Sequence, residues 1–311
     1  MIFVVVGLFL VGATAMIEER DVCPTRMRDA HLFPRDVFYT GLFDSFLWNS
    51  TLWPVGYRFH FFDNEQLEAS ARNLSAILER NNVTGLYEAF TALRPWAFKS
   101  DLWRYAILWA CGGFYVDSKM KLRQNMDGFL ERSGWEKSTQ EGPLLISCRD
   151  LTATAKDRFH NITAIWQGFI VSEPRHPDLI KVLRSAIDNV LQRRYFEDEG
   201  VLRMLYITGP NAMARAIQTD PDWHKRVKLP CRWGNHGNEL RTVFGGRPPG
   251  TGTLLWMDQK LHNTLRNGAI HSYSNLYKAH RVYVDDPPCA QNCHLITDPR
   301  HHHPRLPEAP R

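Results

Sequence analysis

The 311-residue sequence is short of several features that would fix its class at once. It has no block of consecutive basic residues, which argues against a nucleic-acid partner, even though Lys and Arg exceed Asp and Glu by 38 to 33. That excess fits a pocket for an anionic diphosphate and an ordinary basic surface equally well. No internal repeat is found, and the length is long for one domain but short for two, so a single domain is expected. Gly250-Thr251-Gly252-Thr253 lacks the lysine and the spacing of a P-loop, and Gly245 to Gly252 reads as a flexible loop. No second Cys-x-x-Cys accompanies Cys289, Cys293 and His294. Together with His301, His302 and His303 they therefore read as a disulfide and a polar tail, not a zinc site. No obvious nucleophile for covalent catalysis stands out.

A long apolar run is also missing. The uncharged stretch Ile2 to Met16 falls short of the roughly 20 residues that span a bilayer, and Ala13-Thr14-Ala15 has the small-x-small form of a signal-peptidase site. Residues 1–16 are expected to be a signal peptide or a signal anchor, the latter giving membrane association. Residues 17–297 would form the domain, and 298–311 a disordered tail rich in Pro, His and Arg.

What is present points to the secretory pathway. Asn49, Asn73, Asn82 and Asn161 each begin an Asn-x-Ser/Thr sequon, a signal used only in the secretory lumen. The six cysteines form an even set suited to an oxidising compartment, with the pairing left open.

With 44% hydrophobic and 12% aromatic residues, the chain can bury a sizeable core. Gly56 to Asp63 alternates Tyr57, Phe59 and Phe61 with Arg58 and His60, which predicts a strand. Leu67, Ala71, Leu74, Ile77 and Leu78 recur at helical spacing over Glu65 to Arg80, with Asn81-Asn82 as a stop. Lys99 to Ala110 is apolar nearly all round and predicts a buried helix with Asp101 and Arg104 one turn apart on one face. Gly112-Gly113 ends it, and Phe114-Tyr115-Val116 reads as a buried strand with Asp117 at its carboxyl end, where α/β sheets bind ligands. Pro143 to Cys148 and Gly168 to Ser172 read as further strands. Asp178 to Phe196 reads as an amphipathic helix, so the fold class is α/β with a mixed sheet and flanking helices.

Buried charges cost stability unless they are paired or used. Asp101, Arg104 and Asp117 are therefore either a structural ion pair beside a turn aspartate or the lining of a polar sugar pocket, where carboxylates and a guanidinium suit hydroxyl groups. A glycan hydrolase would place two carboxylates across a glycosidic bond. The Arg104 and Gly-Gly context argues against that reading.

Ala97 to Met120 (AFKSDLWRYAILWACGGFYVDSKM) resembles the A-x-x-S/A-D-x-x-R…G-G-x-Y-x-D-x-D block of glycosyltransferases with a DXD sugar-binding region. That group includes fungal initiating α-1,6-mannosyltransferases, inositol-phosphoceramide mannosyltransferases and, more distantly, clostridial glucosylating toxins. Weaker similarities follow in order: Pro34 to Gly41 to the family's opening strand, Trp166 to Leu179 to its strand and following helix, Thr208-Gly209-Pro210 to its T-G-P turn, and His271 to Tyr277 to a His-x-aromatic segment.

The resemblance implies a GT-A, Rossmann-like fold in the Golgi lumen. It also implies retaining transfer of a hexose from a GDP- or UDP-linked nucleotide sugar to a glycan or glycolipid acceptor. Asp101 and Arg104 would hold the donor hexose, with Thr40 beside them and Tyr115 in the pocket floor. Asp117 would be the first DXD carboxylate and the one metal ligand for a Mn2+ ion, and His271 and Tyr277 would close over the diphosphate. Trp166 and Gln167 are the candidates for acceptor binding, Trp166 as a stacking platform. Asp127 is not at motif spacing and is not assigned to the site.

Outside that block Tyr39 stands where the family commonly has a glutamine, and within it the sequence departs from the pattern at one position: Lys119 stands where the second DXD aspartate would be. A protonated lysine binds no metal. Either its ammonium replaces the cation beside the leaving diphosphate, which adds Lys119 to the catalytic set, or the chain is an inactive relative that keeps the sugar-nucleotide pocket.

Overall fold

The computed structural model describes residues 22–23, 35–41, 53–135, 143–151, 162–196, 203–233, 239–242, 253–257 and 273–286. In chain order the first half runs β1 (Asp36–Thr40), β2 (Arg58–Phe62), α1 (Asn64–Glu79), α2 (Leu86–Ala92), α3 (Trp96–Cys111), β3 (Gly113–Val116), β4 (Met120–Leu122) and α4 (Met126–Arg132). The second half runs β5 (Leu145–Asp150), β6 (Ile165–Ser172), α5 (Pro177–Leu191), a 3-10 turn (Arg203–Tyr206), α6 (Pro210–Gln218), α7 (Trp223–Arg226), β7 (Val227–Trp233), β8 (Glu239–Thr242), β9 (Thr253–Met257) and α8 (Tyr273–Lys278). The expected α/β class with a mixed sheet and flanking helices is what the chain adopts.

Among the described residues the strands form one nine-stranded sheet in the order β2-β1-β3-β6-β5-β7-β8-β9-β4. β1 pairs in parallel with β2 and β3, β6 runs antiparallel to both β3 and β5, and β5 is parallel to β7. β4 sits at the far end of this order yet follows β3 after only Asp117, Ser118 and Lys119. A three-residue link cannot span a flat sheet. The sheet must therefore curl so that the β3–β4 turn closes across it.

Alternation along the strands sorts the core into two layers. Phe38 and Tyr115 point into the layer shared with α1, α2, α3, α5 and α6. Val37, Phe114 and Val116 point into the opposite layer with Phe129 of α4. α3 lies within the first layer, packed against α1 and α5. That explains why its sequence is apolar on every side.

Local chemistry sets the boundaries. Asp63 caps α1 by accepting the amide of Gln66 at 2.8 Å, while Gln66 Oε1 accepts the Asp63 amide at 3.1 Å. α3 starts after Pro95, earlier than the predicted Lys99, and ends at Gly112 and Gly113, whose φ angles are +69° and +91°. At Gly113 a Cβ would lie 2.5 Å from the carbonyl oxygen of Asp36. Both the positive φ and this close approach to β1 demand glycine.

Other predicted elements also differ in extent, β5 running over Leu145–Asp150 and not Pro143 to Cys148. α5 ends at Leu191, not Phe196, because Tyr195 and Phe196 turn away to pack with Tyr277, Tyr283 and Tyr206. β6 begins at Ile165, not Gly168, which brings Trp166 and Gln167 into the sheet.

Among the described residues two disulfides are present, Cys23–Cys111 and Cys148–Cys231. The first ties a segment near the start of the chain to the end of α3, and the second joins β5 to β7. A disulfide closing loops this long typically stabilises by about 2–4 kcal/mol. Cys289, Cys293, the histidine-rich tail, residues 1–16 and the loop Gly245 to Gly252 lie outside the described residues. At the other end of the domain, the Arg94 guanidinium donates to the carbonyls of Tyr283 at 2.7 Å and Val284 at 2.9 Å, fastening the last described segment to α2 and α3.

Gly113→Ala is expected to destabilise the protein by about 2–3 kcal/mol through backbone strain and the Asp36 contact, read as a lower midpoint in urea. An unchanged midpoint would mean that β1 and β3 can separate locally at no cost.

Candidate functional site

The site forms where the second and third turns of α3 meet the carboxyl ends of β1 and β3 and the middle of β6. Asp101 and Arg104 are both buried, 4% and 6% exposed, which forces each to find partners inside the protein. The two carboxylate oxygens of Asp101 are fully engaged. Oδ1 accepts from Gln167 Nε2 at 2.7 Å and lies 3.1 Å from the Arg104 guanidinium, while Oδ2 accepts from Thr208 Oγ1 at 2.9 Å. Burial still pushes this carboxyl up, to about 6, against the pull of Arg104, Thr208 and Gln167.

Arg104 spends its donors in several directions. Nη1 donates to the backbone carbonyl of Gln167 at 2.8 Å and lies 3.5 Å from Asp117 Oδ1, and Nε reaches the Ser100 carbonyl at 3.3 Å. The guanidinium carbon lies over the Tyr115 ring, 4.2 Å from its centroid. Burial alone would lower this group, but Tyr115, Asp101 and Asp117 hold it above the usual arginine range, so it stays charged. The Tyr115 hydroxyl donates to Asp117 Oδ1 at 3.1 Å. Thr40 Oγ1, at the end of β1, lies 3.5 Å from Ser100 Oγ.

Asp117 opens the β3–β4 turn. Its amide donates to the Gly168 carbonyl at 2.9 Å, and its own carbonyl accepts the Met120 amide at 2.9 Å, so the backbone of the turn is fixed at both ends. Burial would raise its carboxyl, but Lys119, Arg104 and Tyr115 hold it below the usual range, and it is ionised. Lys119 Nζ lies 3.4 Å from Asp117 Oδ2, with both side chains partly exposed.

β6 makes this arrangement possible. Its pairing with β5 slips between Ile146 and Cys148, leaving a bulge around Gln167 and Gly168. Ser147 Oγ shares its proton between the carbonyls of Trp166 at 2.7 Å and Phe169 at 3.0 Å, which holds the bulge in place. A Cβ at Gly168 would lie 2.4 Å from the Trp166 ring and 2.9 Å from Asp117 Oδ2, so only glycine leaves room for both.

The structure brings Thr40, Asp101, Arg104, Tyr115, Asp117 and Lys119 close together. It gives other predicted residues different surroundings. Gln167, expected at the acceptor, is bound to Asp101 through Nε2, to Tyr105 Oη through Oε1 and to Arg104 through its carbonyl, so it positions the charged pair. Trp166, expected as a stacking platform, is only 8% exposed, with its ring stacked on Trp233 at 4.7 Å, and it belongs to the core. Tyr277 is buried against Tyr195 and its hydroxyl accepts the amide of Phe196 at 2.8 Å, which makes it a fastener of the last described segment in this structure. His271, Asn49 and Asn161 lie outside the described residues.

Residues that the sequence reading left without a role include Thr208, Tyr105, Ser147 and Gly168. Their signal was weak because each acts through a long-range contact. Tyr105 Oη, for example, reaches both Gln167 Oε1 and the Thr208 carbonyl, the latter at 2.9 Å.

A Mn2+ ion needs several oxygen ligands. Among the described residues no group of three or more His, Cys, Asp or Glu is placed to hold a metal. Asp117 would be its single carboxylate ligand at the turn, and an ammonium already faces that carboxylate. Asp127 is held elsewhere by Tyr57 at 2.6 Å and Arg35 at 3.2 Å. At the turn the structure describes one carboxylate, and it is already shared between Arg104 and Lys119.

Because Asp101 binds its proton more tightly folded than unfolded, its contribution to stability falls as pH rises from about 4 to about 6 and is constant above. Asp101→Asn removes this titration. Wild type is expected to lose ground to the variant in melting temperature across that window, and a parallel pair of pH profiles would contradict the buried, raised carboxyl.

No curated protein matches the chain. A solved structure titled PaToxG Glycosyltransferase aligns at 14% identity with a TM-score of 0.36, covering 61% of this chain and 70% of that one, a distant likeness. Residues 45–136 match the family described as the glycosyltransferase sugar-binding region containing a DXD motif, and Asp101, Arg104, Tyr115, Asp117 and Lys119 all lie inside that span.

Proposed function

We propose that the chain is a GT-A-type glycosyltransferase that moves a hexose from a GDP- or UDP-linked donor to a glycan or glycolipid acceptor. The observation that carries this reading is the cluster of buried Asp101 and Arg104 with the partly exposed Asp117, inside the segment that matches a sugar-binding region. In this reading Arg104 and Asp117 face the donor sugar hydroxyls, Tyr115 sets the plane of Arg104, and Asp101 with Gln167 and Thr208 holds Arg104 in place. In the reaction the bond from the anomeric carbon to the diphosphate breaks and the acceptor oxygen bonds that carbon. The acceptor proton leaves with the diphosphate. Asp117 stabilises positive charge on the sugar, and retention of configuration is the outcome proposed.

Lys119 at the second DXD position favours one alternative, a relative that binds the sugar nucleotide without turning it over. A panel of nucleotide sugars, scored for binding and for donor hydrolysis, separates the two. Asp117→Ala is expected to weaken donor binding by roughly tenfold or more and to abolish turnover. Normal turnover in that variant removes Asp117 from the site. Binding with no hydrolysis of any donor by wild type selects the inactive relative.

The compartment proposed is the secretory lumen, where the two disulfides would persist. Of the two described sequons, Asn82 suits a glycan better. It is exposed in a turn at φ +57° with Thr84 also exposed. Asn73 lies within α1, and the hydroxyl of its partner Ser75 is buried, accepting the Tyr87 amide and donating to Glu79. Expressed in eukaryotic cells, the full chain is expected to carry an N-glycan at Asn82 that Asn82→Gln removes. An unmodified Asn82 peptide from secreted protein would contradict this.

A further inference from the structure

We propose that Lys119 is the site's built-in cation: its ammonium binds the donor's diphosphate where a metal ion would be needed if a second aspartate stood there, and donor binding is independent of metal. The inference rests on the donor-binding reading above and adds a residue role to it.

Four observations support it. The charged groups of the site are Asp101 and Asp117 against Arg104 and Lys119, a set that is neutral without a metal. Arg104 is buried and its charge is already shared between the carboxylates of Asp101 and Asp117, so it does not supply the extra positive charge a diphosphate needs. Lys119 is different. Its side chain is 28% exposed, and its described contact, Asp117 Oδ2 at 3.4 Å, is longer than the 2.7–2.9 Å usual for a charge-assisted hydrogen bond. An ammonium has three donors, and a loose pair leaves it able to turn to an incoming oxygen. Finally, the residue sits in a turn closed between the Asp117 carbonyl and the Met120 amide, with β4 paired to β9 directly after it.

The chemical consequence follows from charge. Departure of the nucleoside diphosphate builds negative charge on its terminal phosphate. A fixed ammonium at that point stabilises it electrostatically, as a metal would, without needing to be loaded. The ligand class is a nucleoside diphosphate, free or sugar-linked.

The test is calorimetric titration of GDP and of UDP into the full-length protein, with EDTA and with Mn2+. Wild type is expected to bind one of the two nucleotides with the same affinity, within about twofold, in both buffers. Lys119→Met, which keeps an unbranched apolar stem and removes the ammonium, is expected to bind it roughly tenfold or more weakly, with an unchanged melting temperature showing that the fold survives. Lys119→Asp is expected to bind only with Mn2+ present. Wild-type binding that requires Mn2+, or Lys119→Met binding as tightly as wild type, overturns the role of Lys119 and leaves the donor site standing. Failure of wild type to bind either nucleotide in either buffer overturns the donor site itself, and Lys119's role falls with it.

Discussion

The ion pair between Asp101 and Arg104 is the constraint around which the rest of the site is arranged. Two opposite charges one helical turn apart, both withdrawn from water, are tolerated only when nearly every donor and acceptor is satisfied. The chain meets that condition with groups from three distant segments: the Gln167 amide from β6, the Thr208 hydroxyl ahead of α6, and Asp117 at the end of β3. Removing one partner would leave a buried charge without an answer. Several features that look unrelated in the sequence are in this sense one structure.

The backbone irregularities serve the same end. The bulge in β6 turns the side chain of Gln167 toward Asp101 and presents its carbonyl to Arg104, and Ser147 braces that bulge from β5. Gly168 has no side chain because Trp166 and Asp117 occupy the space it would need. Gly112 and Gly113 reverse the chain tightly enough for α3 and β3 to be neighbours, which brings Arg104 over the ring of Tyr115 and beside Asp117. Lys119 then completes the charge balance from the solvent side, where its ammonium stays accessible.

Much of this was legible in the sequence where the pattern is local. The apolar helix with Asp101 and Arg104 on one face, the Gly-Gly stop and the strand ending in Asp117 follow from periodicity and turn chemistry over some twenty consecutive residues. The role of Gln167 was not legible, because it depends on a bulge whose register is set by β5 and on the approach of β6 to α3. Trp166 reads as an open platform when only its neighbours in the chain are considered, but its partner Trp233 comes from β7, two strands away. Tyr277 likewise finds Tyr195 and Phe196 only once the helix α5 has stopped short. Local order carried the site's charged core, and tertiary contact decided which polar neighbours position it.

The central claim is that this charged cluster holds the sugar of a nucleotide donor. A crystal structure of the protein grown with GDP- or UDP-hexose in the presence of EDTA tests it most directly. The account predicts hexose hydroxyls within hydrogen-bond distance of Arg104 and Asp117, with Asp101 still bound to Gln167 and Thr208 and the diphosphate against the Lys119 ammonium. A donor bound away from α3 and the β3–β4 turn, with the cluster unchanged and no ligand against it, would make the four charges a structural network and contradict the account.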